Sequence, residues 1–131
     1  MRYTLLAGIV CTVFFLFSCE KESSRRATNI GSLLKTAGGD CMPINVAGVY
    51  NAGVPLIASN YIEVQINYAA SGPYVVTTDT VNSFYFRGQG VAEKGNNTIR
   101  LKGYGAPLLS ETDIFTVTLD SSSCEADVTV H

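Results

Sequence analysis

The sequence offers little of the material that catalysis or metal binding requires. Its one histidine, His131, is the last residue, whereas a side-chain nucleophile usually needs a histidine beside it as its base. Calcium requires about six to eight oxygens, and no ordered acidic loop motif supplies them. We therefore predict no catalytic residue, metal site or cofactor; the alternative is a hydrolase that uses Glu111 or Asp113. The acidic residues of the last third are interpreted as solvated charges: Glu111, Asp113, Asp120, Glu125 and Asp127.

Three tyrosines are better candidates for recognition. The alternation of apolar and polar residues puts Tyr61 and Tyr85 on the outward side of their predicted strands. Tyr104 is predicted to lie in a turn. Exposed aromatic rings can stack on sugars or anchor a protein partner. The alternative is that all three are ordinary surface tyrosines of a β-protein.

The composition indicates one compact domain that is not a dedicated polyanion binder. The chain has 131 residues, and nine Lys and Arg against eleven Asp and Glu give a net charge of -2. Nucleic-acid-binding domains usually carry a basic patch or stripe, so we expect no nucleic-acid partner. With 47% hydrophobic and 15% charged residues, the chain is too apolar for intrinsic disorder.

The first residues have the pattern of an export signal. A positive start at Arg2 precedes an apolar run over residues 5–17. As a helix, this run would rise about 20 Å, short of the hydrocarbon core of about 30 Å, so we expect no membrane-spanning helix. The run ends in Leu16-Phe17-Ser18-Cys19, which resembles the lipobox of Bacteroidota lipoproteins. The resemblance implies a signal peptide over residues 1–18 and an acylated Cys19; the alternative is a plain secretory signal with a chance cysteine.

The residues after Cys19 predict an anchor followed by a linker. Each buried methylene of an acyl chain contributes about 0.8 kcal/mol, so several chains on one cysteine would hold the protein in a membrane. Glu20-Lys21-Glu22 is similar to the tags that route Bacteroidota lipoproteins to the cell surface, which implies an outward-facing outer-membrane protein. Residues 19–40 sustain no helix or strand period and predict a flexible linker, with a helical turn over residues 33–35 as the alternative.

Beyond residue 41 the hydrophobic pattern changes to period two. Every second residue of the segment 61–68 is apolar: Ile62, Val64, Ile66 and Tyr68. Only a strand sorts such residues onto one face. Similar stretches predict strands over residues 44–50, 74–78, 84–91, 98–103, 115–119 and 124–130. Seven short strands separated by turn-forming residues predict an all-β sandwich of two sheets, in which the glycines at positions 88, 90, 103 and 105 mark bends and close sheet approach.

Several segments of residues 41–131 carry a family resemblance. They include Gly72-Pro73-Tyr74, the run from Ile99 to Pro107 with its Gly-x-Gly-x-Pro turn, and the strand that starts at Cys124. Together they resemble an immunoglobulin-like domain common in Bacteroidota surface proteins, which implies an adhesion-like or scaffolding module without catalytic residues. Ser83 departs from the family pattern, which usually has glycine after Asn82. If that turn requires a positive φ, we expect a different local conformation.

Covalent chemistry is predicted at two further places. With Cys11 in the signal and Cys19 acylated, Cys41 and Cys124 remain, and an even count in an exported protein favours a disulfide. In immunoglobulin-like sandwiches the first and last strands commonly run side by side in parallel, which would bring both cysteines to one end; two unlinked thiols are the alternative.

Asp79-Thr80-Val81 resembles the short O-glycosylation acceptor of Bacteroidota, which implies Thr80 as a modified residue.

These observations favour a non-catalytic, lipid-anchored protein of the outer membrane with one immunoglobulin-like binding or scaffolding module. Its expected partners are the membrane, through the lipid anchor, and an envelope protein or a glycan of unknown identity. Sheet edges and end loops are the expected contact surfaces. The alternative is a carbohydrate-binding accessory lipoprotein of a nutrient-uptake system, with Tyr61, Tyr85 and Tyr104 as ligand contacts.

Overall fold

The computed structural model describes residues 30–131, which form eight β-strands and no helix. The predicted all-β class is therefore confirmed for this part of the chain. The predicted signal peptide and Cys19 lie outside the described residues. The strands are β1 (Gly31–Leu33), β2 (Asn45–Ala47), β3 (Tyr61–Tyr68), β4 (Gly72–Thr78), β5 (Phe84–Ala92), β6 (Gly95–Gly105), β7 (Thr112–Leu119) and β8 (Ser122–Thr129).

The alternation of apolar and polar residues explains most of these strands. In β3 the residues Ile62, Val64 and Ile66 are buried, while Glu63 and Gln65 between them face outward. β3 pairs antiparallel with β6 over its whole length, so the buried sides of the two strands coincide. All seven predicted strands are present; β3 has its predicted bounds, and the bounds of the other six differ from the expected ones by a few residues.

The strands form one antiparallel sheet rather than two sheets with separate hydrogen bonding. Its order is β1-β3-β6-β5-β4-β7-β8, and β2 pairs with β3 beside β1. β4 and β7 share only two register pairs, Thr77 with Thr118 and Thr78 with Val117. The two-sheet sandwich thus stays a prediction, while the continuous sheet is what the hydrogen bonds define.

The two ends of the sheet approach each other, which makes it nearly barrel-like. The amide of Leu33 in β1 donates at 3.0 Å to the Oγ of Ser122, the first residue of β8. Tyr50 and Val130 form a parallel bridge, as expected for the first and last predicted strands. The His131 amide donates to the Tyr50 carbonyl at 2.9 Å, and the Ala52 amide donates to the His131 carbonyl at 2.8 Å. These bonds satisfy polar groups that a sheet edge would otherwise leave open.

The interior is filled by aromatic and β-branched side chains. Phe84, Phe86 and Phe115 are fully buried, and the ring of Phe115 lies 4.7 Å from Phe84 and 5.1 Å from Phe86 between centroids. The ring centroid of Tyr50 lies 6.0 Å from that of Phe84 and 6.1 Å from that of Phe86. Such aromatic contacts, together with the buried apolar area, hold the strands around one core.

The predicted linker extends too far along the chain. Gly31–Leu33 pairs with Ile66–Tyr68 of β3, and Leu33 belongs to the core, so the folded unit includes residues assigned to the linker and to the alternative helical turn. The prediction failed because a strand of three residues shows no period.

The turn at Ser83 corrects a second expectation. Asn82 and Ser83 have φ values of 48° and 65°, and a bridge between Val81 and Phe84 closes the turn around them. Serine therefore adopts the left-handed conformation that favours glycine, and the local conformation does not differ as expected. Asn82 explains this, because its side chain accepts hydrogen bonds from the amides of Leu108 and Leu109 and donates to Asp113 Oδ2.

The predicted disulfide between Cys41 and Cys124 is present, with a Cα–Cα distance of 5.9 Å. Cys124 lies in β8, whereas Cys41 lies in the loop between β1 and β2 instead of opening a strand. The bond spans 83 residues of sequence and joins the beginning of the domain to its last strand. It therefore reinforces the closure that the Tyr50–Val130 bridge also makes.

Candidate functional site

Tyr85 and Tyr104 form a stacked pair on the outer side of the sheet. They are register partners in β5 and β6, with ring centroids 5.4 Å apart and ring planes 19° from parallel. Tyr104 is therefore not in a turn, as predicted, but within β6, where it is 40% exposed. Directly opposed residues of an antiparallel pair lie on the same face, which explains why the two rings meet.

Tyr61, the third predicted residue, lies one strand away on the same face. Its register partner in β6 is Lys102, and the guanidinium carbon of the neighbouring Arg100 lies 3.8 Å from the centroid of its ring. Arg100 also forms a salt bridge of 3.0 Å with Glu63. The hydrogen bonds from Arg100, and secondarily from Asn45, lower the pKa of the Glu63 carboxyl. Arg100 is thus held by a carboxylate on one side and an aromatic ring on the other.

Lys102 connects the two aromatic groups. Its Nζ lies 5.4 Å from the ring centroid of Tyr104, and its register partners are Tyr61 on β3 and Arg87 on β5. Three tyrosines and three cations therefore occupy one continuous outer surface of β3, β6 and β5. We call this surface the tyrosine face and define it by Tyr61, Tyr85, Tyr104, Arg87, Arg100 and Lys102.

The sequence identified the tyrosines of this face but missed its cations. Alternation within β6 already predicts that Arg100 and Lys102 point the same way as each other, on the side opposite to Ile99 and Leu101. The outward direction of Arg100 and Lys102 could therefore be predicted from the sequence. The strand order could not be predicted, and only the pairing of β5 with β6 brings Arg87 beside these two residues.

Glycines set the backbone that supports Tyr104. A Cβ at Gly103 would lie 2.6 Å from Leu56 Cδ1 and 3.1 Å from the Asn60 carbonyl oxygen, so the strand and the loop before β3 approach closely there. Gly105 has a φ of 99°, and a Cβ would collide with the Ser83 carbonyl oxygen. The interpretation of these glycines as places of close approach is confirmed.

The tyrosine face concentrates positive charge in an otherwise acidic domain. Residues 30–131 contain five Lys or Arg and nine Asp or Glu, a formal side-chain charge of -4. Three of those five cations lie on the tyrosine face. Glu63 is the single carboxylate among the outward residues of β3, β5 and β6. The face is therefore a local positive surface, which an overall net charge conceals.

The remaining predicted residues do not join this face. Thr80 is exposed in the connection between β4 and β5, where its modification stays a prediction. Asp113 is buried and accepts from the Asn82 side-chain amide at 2.9 Å, so its interpretation as a solvated charge is wrong. Asp120 accepts from the Gly31 amide at 2.9 Å. Within residues 30–131, no group of three or more His, Cys, Asp or Glu side chains has the arrangement of a metal site. The acidic residues named from the sequence are thus dispersed.

A concave region lies at the disulfide, apart from the tyrosine face. It has a volume of about 450 Å³ and is lined mainly by polar groups, among them Lys35, Asp40, Thr116 and Glu125. It includes both cysteines but none of the residues of the tyrosine face.

Comparisons with protein-family models, with curated proteins and with solved structures found no match. In the described part of the chain, no helix has the length and apolar character to cross a membrane.

Proposed function

We propose that the chain is a lipid-anchored protein of the bacterial outer membrane whose folded domain is a non-catalytic binding module. The observation that carries this proposal is the tyrosine face. Tyrosine and arginine are enriched at binding surfaces because they combine a large contact area with hydrogen-bonding groups. The three tyrosines and three cations of this face together offer aromatic contact area, hydrogen-bond donors and positive charge to a ligand.

The position of the face in the domain supports a role in binding outward from an anchor. The described chain begins at Ile30, whose carbonyl accepts from the Ala69 amide at 3.0 Å, just beyond the end of β3. Tyr61 is at the other end of that strand, roughly 23 Å away at about 3.3 Å per residue. Tyr85 and Tyr104 lie at the same far end, since they pair next to the end of β6. An anchor upstream of Ile30 would leave the tyrosine face remote from the attachment point.

We also propose that the domain is a closed variant of the immunoglobulin-like sandwich. The parallel bridge between Tyr50 and Val130 and the weak junction of β4 with β7 support this relation. Variable immunoglobulin domains bind through loops at one end of the sandwich. The tyrosine face instead lies on the paired strands β3, β6 and β5.

A carbohydrate-binding accessory of a nutrient-uptake system is the second candidate function. The stacked pair of Tyr85 and Tyr104 favours it, because flat aromatic surfaces with nearby hydrogen-bond donors suit sugar rings. The two candidates share the same face and differ in the ligand.

A glycan array and a capture experiment from envelope extracts separate these functions. Both use the full chain and the variants Tyr85→Ala and Tyr104→Ala, with Thr118→Ala on the exposed side of β7 as the matched control. Saturable binding that both tyrosine variants lose, and the control keeps, supports the tyrosine face as the binding surface. Binding that all variants retain would contradict it.

The anchor needs its own test. Mass spectrometry of the mature N-terminus is expected to show an acylated Cys19, and a Cys19→Ala variant is expected to leave the membrane fraction. An unmodified Cys19 would contradict the anchor while leaving the binding module unaffected.

A further inference from the structure

Two cations of the tyrosine face have no anionic partner. Across residues 30–131, Arg100–Glu63 is the one salt bridge that the structure contains. Arg87 and Lys102 are both exposed and lie directly opposite each other in β5 and β6. Like charges at directly opposed positions destabilise an antiparallel pair. The sheet thus holds two adjacent positive charges whose mutual repulsion an anion would relieve.

Arg100 provides the internal comparison. Its guanidinium forms a salt bridge of 3.0 Å with Glu63 and lies over the ring of Tyr61, so its charge is paired within the domain. Arg87 instead keeps a planar guanidinium free, and guanidinium groups bind carboxylates and sulfates through paired hydrogen bonds. Lys102 contributes a second positive charge next to Tyr104. The available chemistry is therefore that of a site for carboxylate or sulfate groups.

The neighbours of these cations favour a sugar over an acidic peptide. The stacked rings of Tyr85 and Tyr104 lie at one end of the face. Farther along the strands the outward residues Gln65, Gln89 and Thr98 offer neutral donors and acceptors, which suit hydroxyl groups. A peptide would be expected to use apolar anchors, and the outward residues at the centre of the tyrosine face are the exposed cations Arg87 and Lys102.

We propose that the tyrosine face binds an acidic polysaccharide, with its carboxylate or sulfate groups on Arg87 and Lys102 and a sugar ring against Tyr85 and Tyr104. This inference rests on the proposed binding function and specifies its ligand class. The chain of sugars would run along the paired part of β5 and β6, from the tyrosine pair to the two cations.

The test measures binding of the full chain, solubilised in detergent, by titration calorimetry with oligogalacturonate. The matched probe is methyl-esterified oligogalacturonate, which has the same sugar skeleton without its charges. We expect the acid form to bind at least about ten-fold more tightly than the ester, because each charge-assisted hydrogen bond contributes about one order of magnitude in affinity. The affinity for the acid form is also expected to fall as salt is raised, since exposed charges are screened.

Variants assign the effect to the two cations. Arg87→Gln and Lys102→Gln are each expected to weaken binding of the acid form about ten-fold, and to leave weak binding of the ester unchanged. Lys94→Gln, which removes an exposed cation from the turn between β5 and β6, is the matched control and is expected to bind like the wild type. Thermal unfolding of each variant confirms that it is folded.

Four results would overturn the proposal. Equal affinity for acid and ester, lost in Tyr104→Ala, would overturn the acidic ligand class and support the neutral-glycan module of the second candidate function. Poly-glutamate binding as tightly as the oligosaccharide would replace the sugar by an acidic protein. Loss of binding in Lys94→Gln to the same extent would show a general charge effect. No binding of either oligosaccharide would also reject the proposal, while capture of an envelope partner through the tyrosines would still support the binding module itself.

Discussion

The hydroxyl of Tyr68 lies in the core without a hydrogen-bond partner among residues 30–131. Tyr68 is 1% exposed, and its ring lies 5.9 Å from that of Tyr74. Tyr50 provides a matched comparison, since it is 2% exposed and its hydroxyl donates to the Ala47 carbonyl at 2.9 Å. The same substitution, tyrosine to phenylalanine, therefore removes an unsatisfied group at one position and a satisfied one at the other.

The two substitutions should change stability in opposite directions. An unsatisfied buried hydroxyl costs about 1–3 kcal/mol, so Tyr68→Phe is expected to raise the free energy of unfolding by up to that amount. Tyr50→Phe loses a hydrogen bond of about 1 kcal/mol and leaves the Ala47 carbonyl without this donor, so it is expected to lower the free energy of unfolding. Urea denaturation with the disulfide intact measures both changes, at constant m-value.

The pH dependence of stability is a second readout of the same groups. Burial is the main cause that raises the pKa of Tyr68 and of Tyr50 from 10.0 to about 12, with Tyr74 and Asp120 adding to the effect at Tyr68. A raised folded-state pKa means that stability is fully present below pH 10 and is lost as the pH rises toward 12, because the unfolded tyrosine ionises first. Tyr68→Phe is expected to reduce this alkaline loss.

A shift of both variants in the same direction would refute this reasoning. So would a Tyr68→Phe protein that is less stable than the wild type, since that result requires a hydrogen bond to the Tyr68 hydroxyl.

Three other changes test the construction of the sheet. Reducing the Cys41–Cys124 disulfide is expected to lower the free energy of unfolding by about 4–5 kcal/mol, because the bond closes a loop of 83 residues. Denaturation with and without reductant measures the change, and an unchanged midpoint would contradict this expectation. Ser83→Gly is expected to stabilise by about 0.5–1 kcal/mol, since it relieves a positive φ, and a loss of stability would show that Ser83 makes an important contact. Gly88→Ala is expected to destabilise by about 1–3 kcal/mol because its Cβ would lie 2.6 Å from the Arg100 carbonyl oxygen. Gly38→Ala should be close to neutral, because its Cβ would make only ordinary contacts, the nearest at 3.7 Å from Asp40 Oδ2; equal effects would reject the close approach.

The sequence predicts strands where alternation extends over several residues. β3 was predicted with its observed bounds because its buried and exposed residues alternate along its length. β1 was missed, since three residues contain too little pattern to distinguish a strand from a linker. Tyr104 was placed in a turn because the glycines on both sides of it are typical of turns, whereas here they accommodate neighbouring backbone.

The composition of the candidate site depends on register, which a single sequence does not reveal. The alternation predicts that Tyr61 and Tyr85 face outward, but it does not say which residue lies opposite each of them. The pairing of Tyr85 with Tyr104 and of Arg87 with Lys102 follows from the alignment of β5 with β6. Because a slip of one residue would turn each side chain to the other face, this alignment determines the tyrosine face.

Ligand binding on the tyrosine face is tested most directly by amide chemical shifts, recorded by NMR before and after addition of oligogalacturonate. We predict that the largest changes fall on the outward residues of β3, β5 and β6, around Tyr85, Arg87, Lys102 and Tyr104. Changes confined to the loops over residues 48–60 and 106–111, or no changes at saturating ligand, would contradict the account.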